Sequence, residues 1–286
     1  MIKQCSYIFP LLIGLAISGC AAAPKTAETY SVKSNWTSSF LSHVVMGQDM
    51  PAGVNQWSCR PQDNEYPVVL VHGTFSNSMY SFGALGPALA NESLCVFSND
   101  FGESSPSDWF KGVAAVDESA NELATFVKKV KAVTGSDKVS LVGHSQGGLV
   151  GFYYLKFLEG HKQVDHFLAL APSVNGTTLS KTPNRDEVSY CVSCADQHPD
   201  SELIRKLKDG NITMPGVRYT VLATLNDKVV LPVSRQFVRE PGVLNMTIQD
   251  RFPDKRVSHS GMLYDTDSVG LIIELLTTQK SASSGR

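Results

Sequence analysis

The sequence has little excess charge of either sign: 25 Lys+Arg stand against 27 Asp+Glu in 286 residues, and no Lys/Arg-rich block occurs. Neutralising a phosphate backbone needs clustered basic side chains, so nucleic acid is disfavoured as a partner. An uninterrupted apolar run of the roughly 20 residues that a membrane-crossing helix requires is also missing. The apolar stretch at residues 7–17 is broken by Pro10 and Gly14. No internal repeat is visible, and the Cys-x-x-Cys pair at 191 and 194 has no second Cys or His pair at ligand spacing, which weakens a zinc reading. Composition does favour folding. With 42% hydrophobic residues and near-zero net charge, the chain can bury enough surface to offset its ordering entropy, as one large domain or two small ones.

The first twenty residues read differently from the rest. Lys3 precedes the apolar stretch, which closes on Ile17-Ser18-Gly19-Cys20. This resembles a bacterial lipoprotein signal, cut before a cysteine that then receives a lipid, with small residues at 18 and 19 suiting the peptidase. The expected domains are therefore a signal at 1–19, a tether at 20–50 beginning with lipid-bearing Cys20, and a single catalytic domain at 51–280. Ala21, rather than Asp, matches the sorting pattern for the outer membrane. The competing reading is a plain secretory signal cut after the alanines at 21–23. Export would leave Cys59, Cys95, Cys191 and Cys194 in an oxidising compartment, compatible with two disulfides, against a zinc site or redox dithiol at 191 and 194. Sequons at Asn35, Asn91, Asn175, Asn211 and Asn245 are chance matches in such a protein.

Residues 21–50 are rich in Ala, Ser, Thr and Lys without clear periodicity, which is why they read as a tether. From Pro67 onward short apolar runs alternate with amphipathic stretches. Strand-like segments at 68–71, 95–97, 139–142, 166–170, 217–223 and 243–248 are separated by helix-compatible ones at 81–90, 117–131 and 146–158, with a terminal helix at 267–276. That alternation predicts an α/β fold with a mostly parallel central sheet and helices on both faces.

The segment Val142-Gly143-His144-Ser145-Gln146-Gly147-Gly148 carries Gly-x-Ser-x-Gly between a legible strand and a legible helix. In such an elbow the serine sits on a strained turn, and the residues two before and two after it must lack side chains. Gly143 and Gly147 meet that demand. The turn raises the Ser145 hydroxyl above the sheet and places the Gln146 amide at a helix N-terminus, where it can donate to a developing oxyanion. A second donor is expected after the first strand, in Val71-His72-Gly73-Thr74-Phe75, where Gly73 allows close approach and Thr74 presents its amide. His72 and His144 read as structural.

The base and its orienting acid must then follow the serine. Asp227 lies in Thr224-Leu225-Asn226-Asp227, just beyond a strand end, with Asp250 as runner-up after the next strand. His259 is the only histidine beyond residue 198. His161, His166 and His198 precede Asp227 and read as surface or strand-edge residues. The expected catalytic set is Ser145, Asp227 and His259, with Thr74 and Gln146 as the oxyanion hole and no metal or organic cofactor.

These stretches, together with Asn55-Gln56-Trp57-Ser58-Cys59, Cys95-Val96-Phe97, Cys191-Val192-Ser193-Cys194, residues 215–221 and Asp227-Lys228-Val229-Val230, make the chain similar to the class 2 bacterial triacylglycerol lipases of the α/β-hydrolase fold. The resemblance implies an ester or acylglycerol substrate and a disulfide between Cys59 and Cys95. Relatives often have another cysteine near 248–250, where this chain continues Arg251-Phe252, so Cys191 and Cys194 either form a short-loop disulfide or stay reduced. The same residues would serve an acyltransferase, and a surface interaction lipoprotein with an idle hydrolase fold is the non-enzymatic alternative. A cap insertion is expected at about 173–216. It is polar and shows no long amphipathic helix, which disfavours a large mobile lid.

Overall fold

A computed structural model describes residues 29–103 and 110–277. The expected signal, Cys20 and the start of the tether lie outside the described residues. In chain order the elements are α1 (Trp36–Met46), β1 (Val68–Val71), α2 (Ser78–Phe82), α3 (Leu85–Asn91), β2 (Val96–Ser98), α4 (Val116–Thr134), β3 (Val139–His144), α5 (Gln146–Phe157) and β4 (Val164–Leu170). Then follow α6 (Val192–Asp196), α7 (Glu202–Leu207), β5 (Arg218–Ala223), β6 (Val243–Thr247), α8 (Ile248–Arg251) and α9 (Thr266–Thr277).

The strands form one six-stranded sheet in the order β2-β1-β3-β4-β5-β6, and every pairing is parallel. Successive side chains of a strand point to opposite faces, so a continuous apolar run feeds two cores. Val69 and Val71 join Phe97, Leu141 and Phe167 beneath α4 and α5, where Leu123, Val127, Leu149 and Phe152 close the layer. Val68 and Leu70 face the other way, against Leu85 and Leu89 of α3 and Ile272 and Leu276 of α9. Each fully buried Leu, Val or Phe contributes roughly 1.5–3 kcal/mol relative to exposure, which makes both layers necessary. Parallel pairing also sends the loops after β1, β3 and β5 to the same sheet edge, where open α/β sheets bind ligands.

Both cysteine pairs are disulfide-bonded. Cys59–Cys95 ties the lead-in segment to the start of β2, and Cys191–Cys194 closes the first turn of α6, with Cα–Cα distances of 5.7 and 5.3 Å. The region 173–216 contains only short helices: a 3₁₀ turn at Arg185–Glu187, and α6 and α7 of five and six residues.

Two expectations need correction. The second half of the supposed tether is a docked helix. Asn35 caps α1 by accepting from the Ser38 amide at 2.9 Å, and Gly47, at φ 64°, ends it. Ahead of the helix the Tyr30 amide donates to Asn91 Oδ1 at 2.7 Å, and the Lys33 amide to the Gly83 carbonyl at 3.1 Å. The periodicity is hidden because α1 buries Ser39 and Ser42 instead of apolar residues. His166, in turn, is no surface or edge residue. It lies fully buried in β4, between neighbouring strands, with Nε2 3.0 Å from Thr220 Oγ1. An imidazole with a hydrogen-bond partner is tolerated inside such a sheet.

Candidate active site

Ser145 joins β3 to α5 with φ 57° and ψ −121°, a conformation that strains a side-chain-bearing residue. Its amide donates to the Leu170 carbonyl at 2.9 Å, and its carbonyl accepts from Gly148 at 3.0 Å, so the turn is held from both sides. The two flanking glycines are required by contact. A Cβ on Gly143 would come within 2.4 Å of the Gly147 carbonyl oxygen, and one on Gly147 within 2.1 Å of the Val71 carbonyl oxygen. The sequence pattern and the packing therefore impose the same demand.

The loop after β1 crosses directly over this turn, and a Cβ on Gly73 would lie 3.1 Å from that of Ser145. His72 beneath it is wholly buried. The Phe101 amide donates to its Nε2 at 3.2 Å, which leaves Nδ1–H to donate to the Gly73 carbonyl at 2.9 Å. Burial holds its pKa below the ordinary imidazole value. A neutral, doubly bonded His72 thus shapes the loop that carries Thr74. Thr74 Oγ1 accepts from Gln197 Nε2 at 2.9 Å, and Gln197 Oε1 accepts from Ser173 Oγ at the same distance. Gln146, the first residue of α5, is fully buried, and its amide group therefore sits at a helix N-terminus.

Asp227 follows β5 and turns its carboxylate inward, 4% exposed. One oxygen, Oδ1, accepts from the amides of Val229 (2.7 Å) and Val230 (3.0 Å). The other accepts from His259 Nδ1 at 2.6 Å and from Gln236 Nε2 at 2.9 Å. Burial alone would raise this carboxyl's pKa, but the His259 and amide hydrogen bonds outweigh it and hold the pKa below the usual carboxylate value. The anion so fixed keeps the proton of His259 on Nδ1 and leaves Nε2 as the acceptor. Asp250, the runner-up, is otherwise engaged: it accepts from the Thr247 amide at 2.7 Å in the capping box of α8.

His144 fastens the His259 loop to the elbow. Its Nε2 donates to the His259 carbonyl at 3.0 Å, and the two rings lie 4.7 Å apart. Burial, and then the neighbouring His259, lower its pKa to about 3. On the far side the Thr224 hydroxyl donates to the Val257 carbonyl at 2.7 Å, joining the loop after β5 to the segment carrying His259.

Ser145 and His259 line one cavity of about 450 Å³, within the roughly 300–1,000 Å³ range of small-molecule sites. Thr74 lies on its wall, while Trp36, Phe75, Tyr80, Leu179, Tyr190 and Val229 supply apolar surface. Gln197, Gln236 and Trp36 belong to no sequence motif: Gln197 reaches Thr74 across 123 residues, whereas Gln236 reaches Asp227 across only nine. No cluster of His, Cys, Asp and Glu among the described residues is arranged to hold a metal.

Comparison with known proteins follows the same lines. Two curated relatives named triacylglycerol lipase, from Pseudarthrobacter phenanthrenivorans and Burkholderia plantarii, are each 34% identical over 94 residues. These matches cover 31% of this chain and only 27% and 24% of the relatives' own length. A soluble epoxide hydrolase from Corynebacterium sp. (strain C12) is 36% identical over 89 residues, covering 31% of this chain and 29% of its own. Among solved structures, Aspergillus fumigatus lipase B superposes with a TM-score of 0.59 at 23% identity, over 80% of this chain and 55% of that one. Bacillus licheniformis lipase BlEst2 in its mature form gives 0.57 at 16% identity, over 76% and 94%. At such identities the structural likeness speaks to the fold. The family described as alpha/beta hydrolase fold matches residues 66–225, more than half of the sequence, and the chain belongs to that family.

Proposed function

We propose that the chain is a serine carboxylic ester hydrolase of the lipase/esterase kind, within the class 2 bacterial triacylglycerol lipases that its motifs resemble. The observation that carries this reading is the strained Ser145 opening on the same apolar cavity as a histidine whose Nδ1 is held by buried Asp227. His259 Nε2 takes the hydroxyl proton as Ser145 Oγ bonds to the ester carbonyl carbon, and the carbonyl π electrons move onto oxygen. That oxyanion rests on the Thr74 and Gln146 amides. Collapse of the tetrahedral species expels the alcohol, which receives the proton from His259. Water then repeats the sequence on the acyl-enzyme and releases the acid. Asp227 remains ionised throughout and stabilises the imidazolium.

A hydroxyl nucleophile facing an apolar cavity suits acyl groups, and the relatives named triacylglycerol lipase support an acylglycerol substrate. We further propose export as a lipoprotein anchored through Cys20, most simply at the outer membrane. A fluorophosphonate probe should label the wild-type chain and leave Ser145→Ala unlabelled. Equal labelling of both would remove the serine mechanism. Cys20→Ala should abolish lipid incorporation and yield a soluble or uncleaved form, without changing turnover of a soluble ester, and lipid incorporation independent of Cys20 would overturn the anchoring site.

A further inference from the structure

Helix α1 is turned the opposite way from an ordinary surface helix. A helix on a globular protein points its apolar stripe at the core. Here Ser39 and Ser42 are buried against the domain, whereas Leu41 is 51% exposed, Val45 71% and Met46 69%. At 100° per residue Leu41, Val44 and Val45 fall in one outward sector. The helix, WTSSFLSHVVM, contains no Asp, Glu, Lys or Arg, so that sector has no charge with which to recognise a partner's ion pairs. It is a convex aliphatic ridge.

The ridge is continuous with the mouth of the cavity. Trp36, at the start of α1, stacks on Phe40 at 5.1 Å and meets Tyr80 at 5.7 Å, and Trp36 and Tyr80 both line the cavity that holds Ser145. Phe75, Leu179 and Tyr190, also on the cavity wall, are 47%, 47% and 72% exposed. An exposed apolar patch of this kind marks an interaction site. Where the chain enters α1 narrows the choice of partner. Only fifteen residues separate Cys20 from Trp36, a reach of at most roughly 55 Å even fully extended, so an anchored Cys20 would confine α1 near a bilayer.

We propose that the outward face of α1 and the adjoining cavity rim seat on the acyl region of a lipid bilayer, so that substrate enters the cavity from the lipid phase. The exposed ridge stands on geometry; the choice of a bilayer rests on the proposed Cys20 anchor, and the role given to substrate on the ester-hydrolase reading. The test uses the full chain carrying Cys20→Ala, which removes the anchor, with phosphatidylcholine vesicles whose acyl chains are brominated or plain. Bromine should quench the part of the fluorescence that Trp36→Phe abolishes. Leu41→Ser/Val45→Ser should remove that quenching and weaken vesicle partitioning by on the order of tenfold or more. Turnover of a soluble short-chain ester should change less than twofold, while turnover of a vesicle-borne ester falls with partitioning. Absence of Trp36 quenching, or partitioning unchanged by the double substitution, overturns the proposal. So does a dimer that Leu41→Ser/Val45→Ser dissociates with vesicle binding intact, since a second copy would then cover the face. If no ester is turned over, the ester-hydrolase reading fails, and the quenching still decides the docking surface.

Discussion

Ser145 and Trp36 line one cavity, yet the segments that carry them obey different constraints. Around Ser145 the backbone and the charged groups are closely held: glycines stand where a Cβ would strike a carbonyl, Asp227 accepts four hydrogen bonds, and His144 is bonded to the neighbouring backbone. Around Trp36 small hydroxyl residues face inward and aliphatic ones outward. Buried polar atoms need partners and so fix a single geometry, whereas an exposed aliphatic side chain fixes nothing locally. The first region can be broken by a single atom. The second should yield only to changes in what it touches.

The sharpest break is Ser145→Ala. The alanine fits the same turn, so circular dichroism should be unchanged while ester turnover falls by roughly 10⁶-fold, as removal of a serine nucleophile does elsewhere. Activity within tenfold of wild type would end the assignment. Asp227→Asn should lose roughly 10⁴-fold, because an amide can hold the imidazole in the wrong tautomer. Asp250→Asn should stay near wild-type turnover, since that side chain serves the α8 cap. The reverse ranking in kcat would hand the acid role to Asp250.

The difference between the regions also explains what was legible from sequence. Short apolar strands buried on both faces announce themselves as runs, and β1 occupies the segment read at 68–71. Ser145, Asp227 and His259 could be picked because each sits in a loop after a strand or before the last helix, and chain order restricted the choice. The structure brings those three positions together. Gln197 escaped because its hydrogen bond to Thr74 spans 123 residues, and Gln236 because its bond to Asp227, only nine residues away, is made across an irregular loop and follows no periodicity. Helix α1 escaped for a different reason. Its buried stripe is made of serines, so the hydrophobic periodicity that marks a docked helix points the wrong way.

The two disulfides separate the regions on an intermediate scale. Chain-entropy arguments give about 4 kcal/mol for the Cys59–Cys95 bridge and about 2 kcal/mol for Cys191–Cys194, because their sequence separations are 36 and 3. Cys59→Ala should accordingly lower the urea midpoint clearly more than Cys191→Ala. Equal losses would mean that native packing around α6, and not loop closure, sets the value of the shorter bridge.

Acid should act first on the rigid region. An unfolded imidazole titrates at about 6.5, whereas burial lowers His72 and brings His144 to about 3 in the folded chain. Between those values the unfolded chain binds protons that the native one does not, so stability rises with pH there. It is complete above about pH 6.5 and declines as the pH falls below it, down to about 3 for His144, by up to ~1.4 kcal/mol per pH unit per group. The depressed Asp227 carboxyl adds a loss of the same sign as the pH falls below about 3.9, the ordinary aspartate value. Urea midpoints measured at pH 7.5, 6 and 5 should decline steadily. A level response would show that the two rings accept protons without leaving the native state.

The smallest expected effect probes the seat of α1. Gly83 has ordinary helical backbone angles, so alanine is conformationally acceptable there, but its Cβ would lie 2.0 Å from Ser39 Oγ and 3.0 Å from Ser39 Cβ. Gly83→Ala should therefore lift α1 from the domain at a cost of ~1–3 kcal/mol, the usual penalty of overpacking. Ser39→Gly removes both clashing atoms. The double variant should recover most of the loss, apart from what the Met79 carbonyl, 3.1 Å from the same Cβ, still imposes. Trp36 moves with α1, so the single variant should reshape one wall of the cavity and raise KM while leaving fluorophosphonate labelling of Ser145 intact. Failure of Ser39→Gly to rescue Gly83→Ala would mean that α1 does not pack through these two residues in solution, and the inverted helix would lose the contact that orients it.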